Sequence, residues 1–158
     1  MDNFSANFPG KLLGIDHGAK VIGFATCDRI GLIATPLAVH HRSSKREDFA
    51  FINTLIEKYE ITALLVGMPP RPPDFEGHSQ SDTVRLWGQR LAGAVSIPVY
   101  FWDEGLTSVD AEALLHDADQ DVPERIDAHA AAVMLQSFLD ALRDYGAEWP
   151  EQVEAIEE

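Results

Sequence analysis

The sequence predicts an α/β domain: a mixed five-stranded sheet, an antiparallel meander joined to parallel crossover strands, flanked by helices. Two patterns carry that expectation. The first forty residues or so read as three short strands linked by turns, the signature of an antiparallel meander. The remainder alternates helical periodicity with single apolar strands, which implies parallel crossover units. A chain of 158 residues, 46% of them hydrophobic, suits one domain with one core.

Residues 1–10 carry no periodic pattern and read as a lead-in. Lys11 to Asp16 is a strand ending at an acid, and Val21 to Cys27 is a second strand. Asp28-Arg29 falls where a tight turn belongs, and Ile30 to Val39 supplies the third strand. Ser44-Lys45-Arg46-Glu47 is a capping-box sequence, and behind it Phe49, Ile52, Leu55, Ile56 and Tyr59 recur at helical spacing. Thr62 to Val66 is a short apolar strand, and Gly67 to Gly77 a proline-rich loop. Ser79-Gln80-Ser81-Asp82 caps a helix reaching about Ala94, and Ile97 to Trp102 is the next strand. Thr107 caps a helix to about His116; a polar loop over 117–123 precedes a last helix from about Ile126 to Arg143. The expected organisation is a lead-in over 1–10, a single domain over 11–144 and an acidic tail over 145–158.

Composition narrows the setting. Cys27 is the only cysteine, so neither an intramolecular disulfide nor a cysteine zinc site can form. No run approaches the length of a transmembrane helix, and Met1-Asp2-Asn3-Phe4 lacks the basic flank of a signal peptide. The expectation is a cytoplasmic protein with no membrane partner. The formal net charge of −14 runs against the basic surface that phosphate binding usually draws on. Glu148, Glu151, Glu154, Glu157 and Glu158 concentrate acid in a tail that reads as solvated, whereas Arg42, Lys45 and Arg46 form the one basic cluster.

Acids fall where the predicted topology would bring them together. Asp16 ends the first strand, Asp103 and Glu104 end the last, and Asp127 opens the final helix. Strand ends and helix starts meet at one edge of such a sheet. Carboxylates gathered there repel one another unless cations neutralise them, and oxygen-only ligands suit Mg²⁺ or Mn²⁺. Such ions can clamp the attacking and leaving oxygens of a phosphodiester. Each acid also has a plain reading: Asp16 as a turn residue, Asp103 or Glu104 as a strand exit, Asp127 as an N-cap.

At these residues the chain resembles the YqgF family, whose members are described as Holliday junction resolvases or pre-ribosomal RNA nucleases. The resemblance covers roughly residues 11–142. It rests on Gly14-Ile15-Asp16-His17-Gly18 with Ile22-Gly23-Phe24-Ala25, Thr35-Pro36-Leu37, Leu65-Val66-Gly67-Met68-Pro69, the segment 77–80, Trp102-Asp103-Glu104-Gly105-Leu106-Thr107-Ser108, and Asp127-Ala128-His129-Ala130-Ala131. The order and spacing of these pieces are more specific than any one of them. The resemblance implies an RNase H-like fold shared with RuvC resolvases. It also implies a metal-dependent nuclease site that maps onto Asp16, Asp103 or Glu104, and Asp127, with Asp16, Glu104 and Asp127 as the metal set. The implied substrate is the small-subunit ribosomal RNA precursor or branched DNA, acted on by a monomer or homodimer. Two positions depart from the family pattern. Lys20, the expected nucleic-acid contact, is followed by Val21 where an arginine is usual, and Gly105 stands where Asp-Glu-Arg would end. Neither replacement can fork to a phosphate.

Other residues carry weaker signals. His17 reads as a loop side chain, with metal or water contact as the alternative, and His40-His41 reads as a strand exit. His129 packs or faces solvent, and His78 lies at a helix start that could hold a phosphate or simply be capped by Ser79. Trp87 and Trp102 read as core aromatics rather than base-stacking platforms. Three functions compete: a metal-dependent phosphodiesterase, a regulatory member of the same fold that has lost its phosphate grip, and one lobe of an actin-like ATPase. The last needs two such domains, and this chain has length for one.

Overall fold

The computed structural model describes residues 10–69, 79–103 and 123–156. Within them the elements run β1 (Leu12–His17), β2 (Val21–Cys27), β3 (Ala34–His41), α1 (Lys45–Tyr59), β4 (Ala63–Met68), α2 (Gln80–Ala94), β5 (Val99–Asp103) and α3 (Pro123–Asp144). The strands form one five-stranded sheet in the order β3-β2-β1-β4-β5. β1 pairs antiparallel with β2, and β2 with β3. β4 adds parallel to β1, and β5 parallel to β4. The meander and the parallel crossovers read from the sequence are both present. The expected helix from Thr107 to His116 lies outside the described residues.

Strand alternation divides the core into two layers. Leu13, Ile15, Ile22, Phe24, Leu64 and Val66 point to the face covered by α1 and α2, where Ile52, Leu55, Val84, Trp87 and Leu91 meet them. Leu12, Ala25, Cys27, Ala63 and Leu65 point to the opposite face, under Ala131, Met134, Leu135, Phe138 and Leu139 of α3. The sheet is thus a middle layer between helices.

Local chemistry sets the element ends. The Ser44 side chain accepts from Glu47 N at the start of α1, and Ser79 and Asp82 form a reciprocal capping box at the start of α2. β3 begins at Ala34, four residues later than the periodicity predicts. Gly31 takes a positive φ of 73°, its N–H donates to Asp28 O, and Leu32 N–H donates to Asp28 Oδ1, so the chain is still turning there.

The acidic tail differs from the expected solvated end. Val153 is buried and its N–H donates to Val99 O at 2.7 Å, while Gln152 bridges antiparallel to Tyr100. Trp149 packs its ring near those of Tyr100 and Phe138. Val153 and the Trp149 ring anchor a segment whose composition reads as solvent-exposed.

Candidate active site

Asp16 is the penultimate residue of β1 and pairs across the sheet with Gly23 of β2. It shares a face with Leu12, on the α3 side. Gly23 is a close-approach position. Any Cβ there would collide with the backbone carbonyl of Asp127, so the first turns of α3 press directly on β2 beside Asp16. Asp127, Ala131 and Leu135 follow the same helical stripe, which carries Asp127 over the sheet one strand from Asp16. Burial raises the Asp127 carboxyl above its usual range, and nearby His41 partly offsets this.

His41 was read as a strand exit, yet it faces this site. It pairs with Val21, two positions along from the Val39–Gly23 pair that lies under Asp127. The Val21–His41 pair therefore stands on the α3 side, where the family pattern places an arginine. No local sequence signal marks His41, because its neighbourhood is set by sheet register and by a helix more than eighty residues away.

His17 is not the loop side chain expected. It is the last residue of β1, 5% exposed, on the opposite face from Asp16, with its ring 4.6 Å from that of Trp87. Burial, aided by the Arg42 charge, lowers its pKa to about 4. The ring is neutral at ordinary pH, and its Nε2 has no hydrogen-bond partner among the described residues.

Lys20 lies exposed in the β1–β2 turn, four residues after Asp16. Asp103 is the exposed last residue of β5, paired with Met68 two strands from β1. Strand alternation gives it the parity of Val99 and Phe101, toward the α1–α2 side rather than the α3 side. Glu104 and Gly105 lie outside the described residues, as does His78. Among the described residues, no three His, Cys, Asp or Glu side chains are grouped closely enough to complete a metal site. Of the predicted acids, Asp16 and Asp127 lie on the α3 side of the sheet, and burial raises the pKa of Asp127.

A family model described as RuvX, Holliday junction resolvase, matches residues 10–141. The chain belongs to the RuvX family. A RuvX relative from Syntrophus aciditrophicus is 39% identical over 137 residues, covering 84% of this chain and 89% of that protein. One from Cereibacter sphaeroides is 34% identical over 153 residues, covering 94% and 95%. Both carry the name "Putative pre-16S rRNA nuclease". Among solved structures, RuvC of T. thermophilus in complex with a Holliday junction substrate superposes with a TM-score of 0.58 at 17% identity, covering 90% of this chain and 99% of that one. The fowlpox virus resolvase superposes with a TM-score of 0.52 at 10% identity, covering 84% and 98%. At such identities the likeness shows the fold, which is the RNase H-like architecture implied by the sequence resemblance. No helix among the described residues is long and apolar enough to cross a membrane.

Proposed function

We propose that this RuvX protein is a divalent-metal-dependent nuclease that hydrolyses phosphodiester bonds in structured nucleic acid, with the small-subunit ribosomal RNA precursor as substrate. The observation that carries the reading is the seating of Asp127 over Gly23, the cross-strand partner of Asp16. Two carboxylates on one face, one of them with its pKa raised by burial, form an arrangement that a hard cation would stabilise. Asp16, Asp127 and Glu104 would hold Mg²⁺ or Mn²⁺; the parity of Asp103 turns it away and favours Glu104 as the third acid. When bound, the metal would polarise the phosphate and lower the pKa of an attacking water. Lys20, exposed at the same end of the sheet, would contact the substrate backbone. The names of the relatives support the RNA substrate, whereas the family description supports branched DNA.

The test is cleavage of a ribosomal RNA precursor fragment and of a four-way DNA junction in Mg²⁺ or Mn²⁺, with Asp16→Asn and Asp127→Asn as controls. Metal-dependent cutting of the RNA, lost in both variants, is the expected result. Preferential cutting of the junction would transfer the assignment to DNA. Binding without cleavage of either substrate would leave a regulatory protein on a nuclease fold, a reading that Val21 and the net charge of −14 favour.

A further inference from the structure

Arg42 grips three consecutive carbonyls of the β1–β2 turn. Its backbone N–H donates to Lys20 O at 2.8 Å, and its Nη1 donates to Gly18 O at 3.3 Å and Ala19 O at 3.2 Å. The turn is also closed from within, where Gly18 N–H donates to Val21 O at 3.0 Å. A Cβ at Gly18 would collide with that carbonyl, so the hairpin allows no side chain there. Behind the guanidinium stands Asp48 of α1, 1% exposed, with its Oδ2 3.7 Å from Arg42 Nε. Its other oxygen, Oδ1, lies 2.9 Å from His40 Nε2 and accepts from Ser43 N–H at 3.1 Å.

A buried carboxylate is an expensive way to pack a helix. Taking the charge out of water costs several kcal/mol, and an apolar side chain beside Ile52 would fill the same space without that cost. What the carboxylate adds is a hold on the chain around Arg42. Its Oδ1 accepts from Ser43 N–H and lies against His40 Nε2, on either side of Arg42, while its Oδ2 stands 3.7 Å from Arg42 Nε, an ion-pair contact too long for a hydrogen bond. One end of the hairpin so clamped follows Asp16, and its exposed tip is Lys20. The same contacts occupy the guanidinium of the residue that heads the basic cluster, leaving Arg46 as that cluster's most exposed cation.

We infer that Asp48 is a positioning residue for the site: through Arg42 it locks the β1–β2 turn, and so sets the placement of Asp16 and Lys20. The inference rests on the nuclease reading for its catalytic consequence but not for its structural one. The arrangement needs a guanidinium whose Nη1 reaches two carbonyls while its charge stays beside Asp48. Lysine keeps the charge for Asp48 and lacks the fork. In Arg42→Lys, hydrogen exchange of the Gly18 amide should quicken on the order of tenfold, while exchange of Leu64, bonded to Pro98 O on β4, stays unchanged. The Mn²⁺ concentration giving half-maximal cleavage should rise by on the order of tenfold, because small displacements of a ligand are costly. Asp48→Asn should show the same local signature, and Arg42→Lys decides the matter even if Asp48→Asn fails to fold. Unchanged Gly18 exchange, or a parallel loss of protection at Leu64, would overturn the inference. A wild type that neither binds Mn²⁺ nor cuts nucleic acid would sink the nuclease reading, while the exchange data would still decide whether Asp48 and Arg42 hold the turn.

Discussion

Gly23 lies directly beneath the backbone carbonyl of Asp127, with no room for a Cβ between the strand and the helix. The contact joins β2 to the start of α3, and it brings the second acid to the neighbour of the first. Gly23→Ala should therefore do two things. The helix must lift from the sheet, costing about 1–3 kcal/mol as in other overpacked cores. Asp127 must also move relative to Asp16, so Mn²⁺ should stabilise the variant less than the wild type. Urea denaturation with and without Mn²⁺ measures both effects.

Val21 offers the converse experiment. It is half-buried, on the α3 side, and paired with His41. Val21→Arg would place a forked cation beside the acids, where a charge-assisted phosphate contact is worth roughly 1.5–3 kcal/mol. Nucleic-acid binding should tighten at least tenfold at low salt, and its salt dependence should steepen. Filter binding at two ionic strengths checks this. Unchanged affinity would mean that substrate does not pass over β2.

His17 predicts how stability falls in acid. Its folded pKa of about 4 lies below the ordinary 6.5, so the unfolded chain takes up a proton that the folded chain refuses. Stability attributable to this ring is complete above pH 6.5, declines as pH falls from 6.5 toward 4, and changes no further below that. The loss should be on the order of 3 kcal/mol. Comparing urea midpoints of wild type and His17→Gln across that range isolates it, because glutamine does not titrate.

Cys27 should serve as a silent reporter of unfolding. The thiol is 4% exposed, accepts from Leu12 N–H, and has its pKa pushed up to about 11 by burial. At pH 8 the native protein should resist a thiol reagent that labels the urea-unfolded chain within minutes. Rapid labelling of the native state would show that the layer between β1, β2 and α3 opens readily.

The tail should matter to stability more than its composition suggests. Removing residues 147–158 exposes the Val99 and Tyr100 side of β5 and loses the burial of Val153. A loss on the order of 2–3 kcal/mol is expected from the apolar area alone. An unchanged melting temperature would show that the tail merely rests there.

Much of the frame was legible because it is encoded locally. The sequence-derived span of the second strand, Val21 to Cys27, matches the observed strand, and Ser79 announces α2 because its cap lies within four residues of chain. β1 extends one residue further than read, since His17 finds its cover in Trp87, seventy residues away. The tail was misjudged for the same kind of reason: its glutamates are visible in the sequence, whereas its pairing with β5 is a tertiary event. Asp48 drew no attention in the sequence, and only the structure shows its burial against Arg42 and His40. Of the acids, the placement of Asp127 beside β2 follows from fold class, but the parity of Asp103 depends on register that no local pattern fixes.

The sheet ends differently on its two sides. Beyond β5 the chain's own tail makes a short antiparallel bridge, so the hydrogen-bonding groups there are partly engaged. On β3, Pro36 has no N–H to offer, and the register shifts between Phe24 and Ala25 opposite it. An unguarded margin invites another molecule to extend the ladder, the first step toward uncontrolled self-association. Here one margin is occupied and the other interrupted. Among the described residues, neither margin therefore offers a second copy of this chain an uninterrupted ladder to extend.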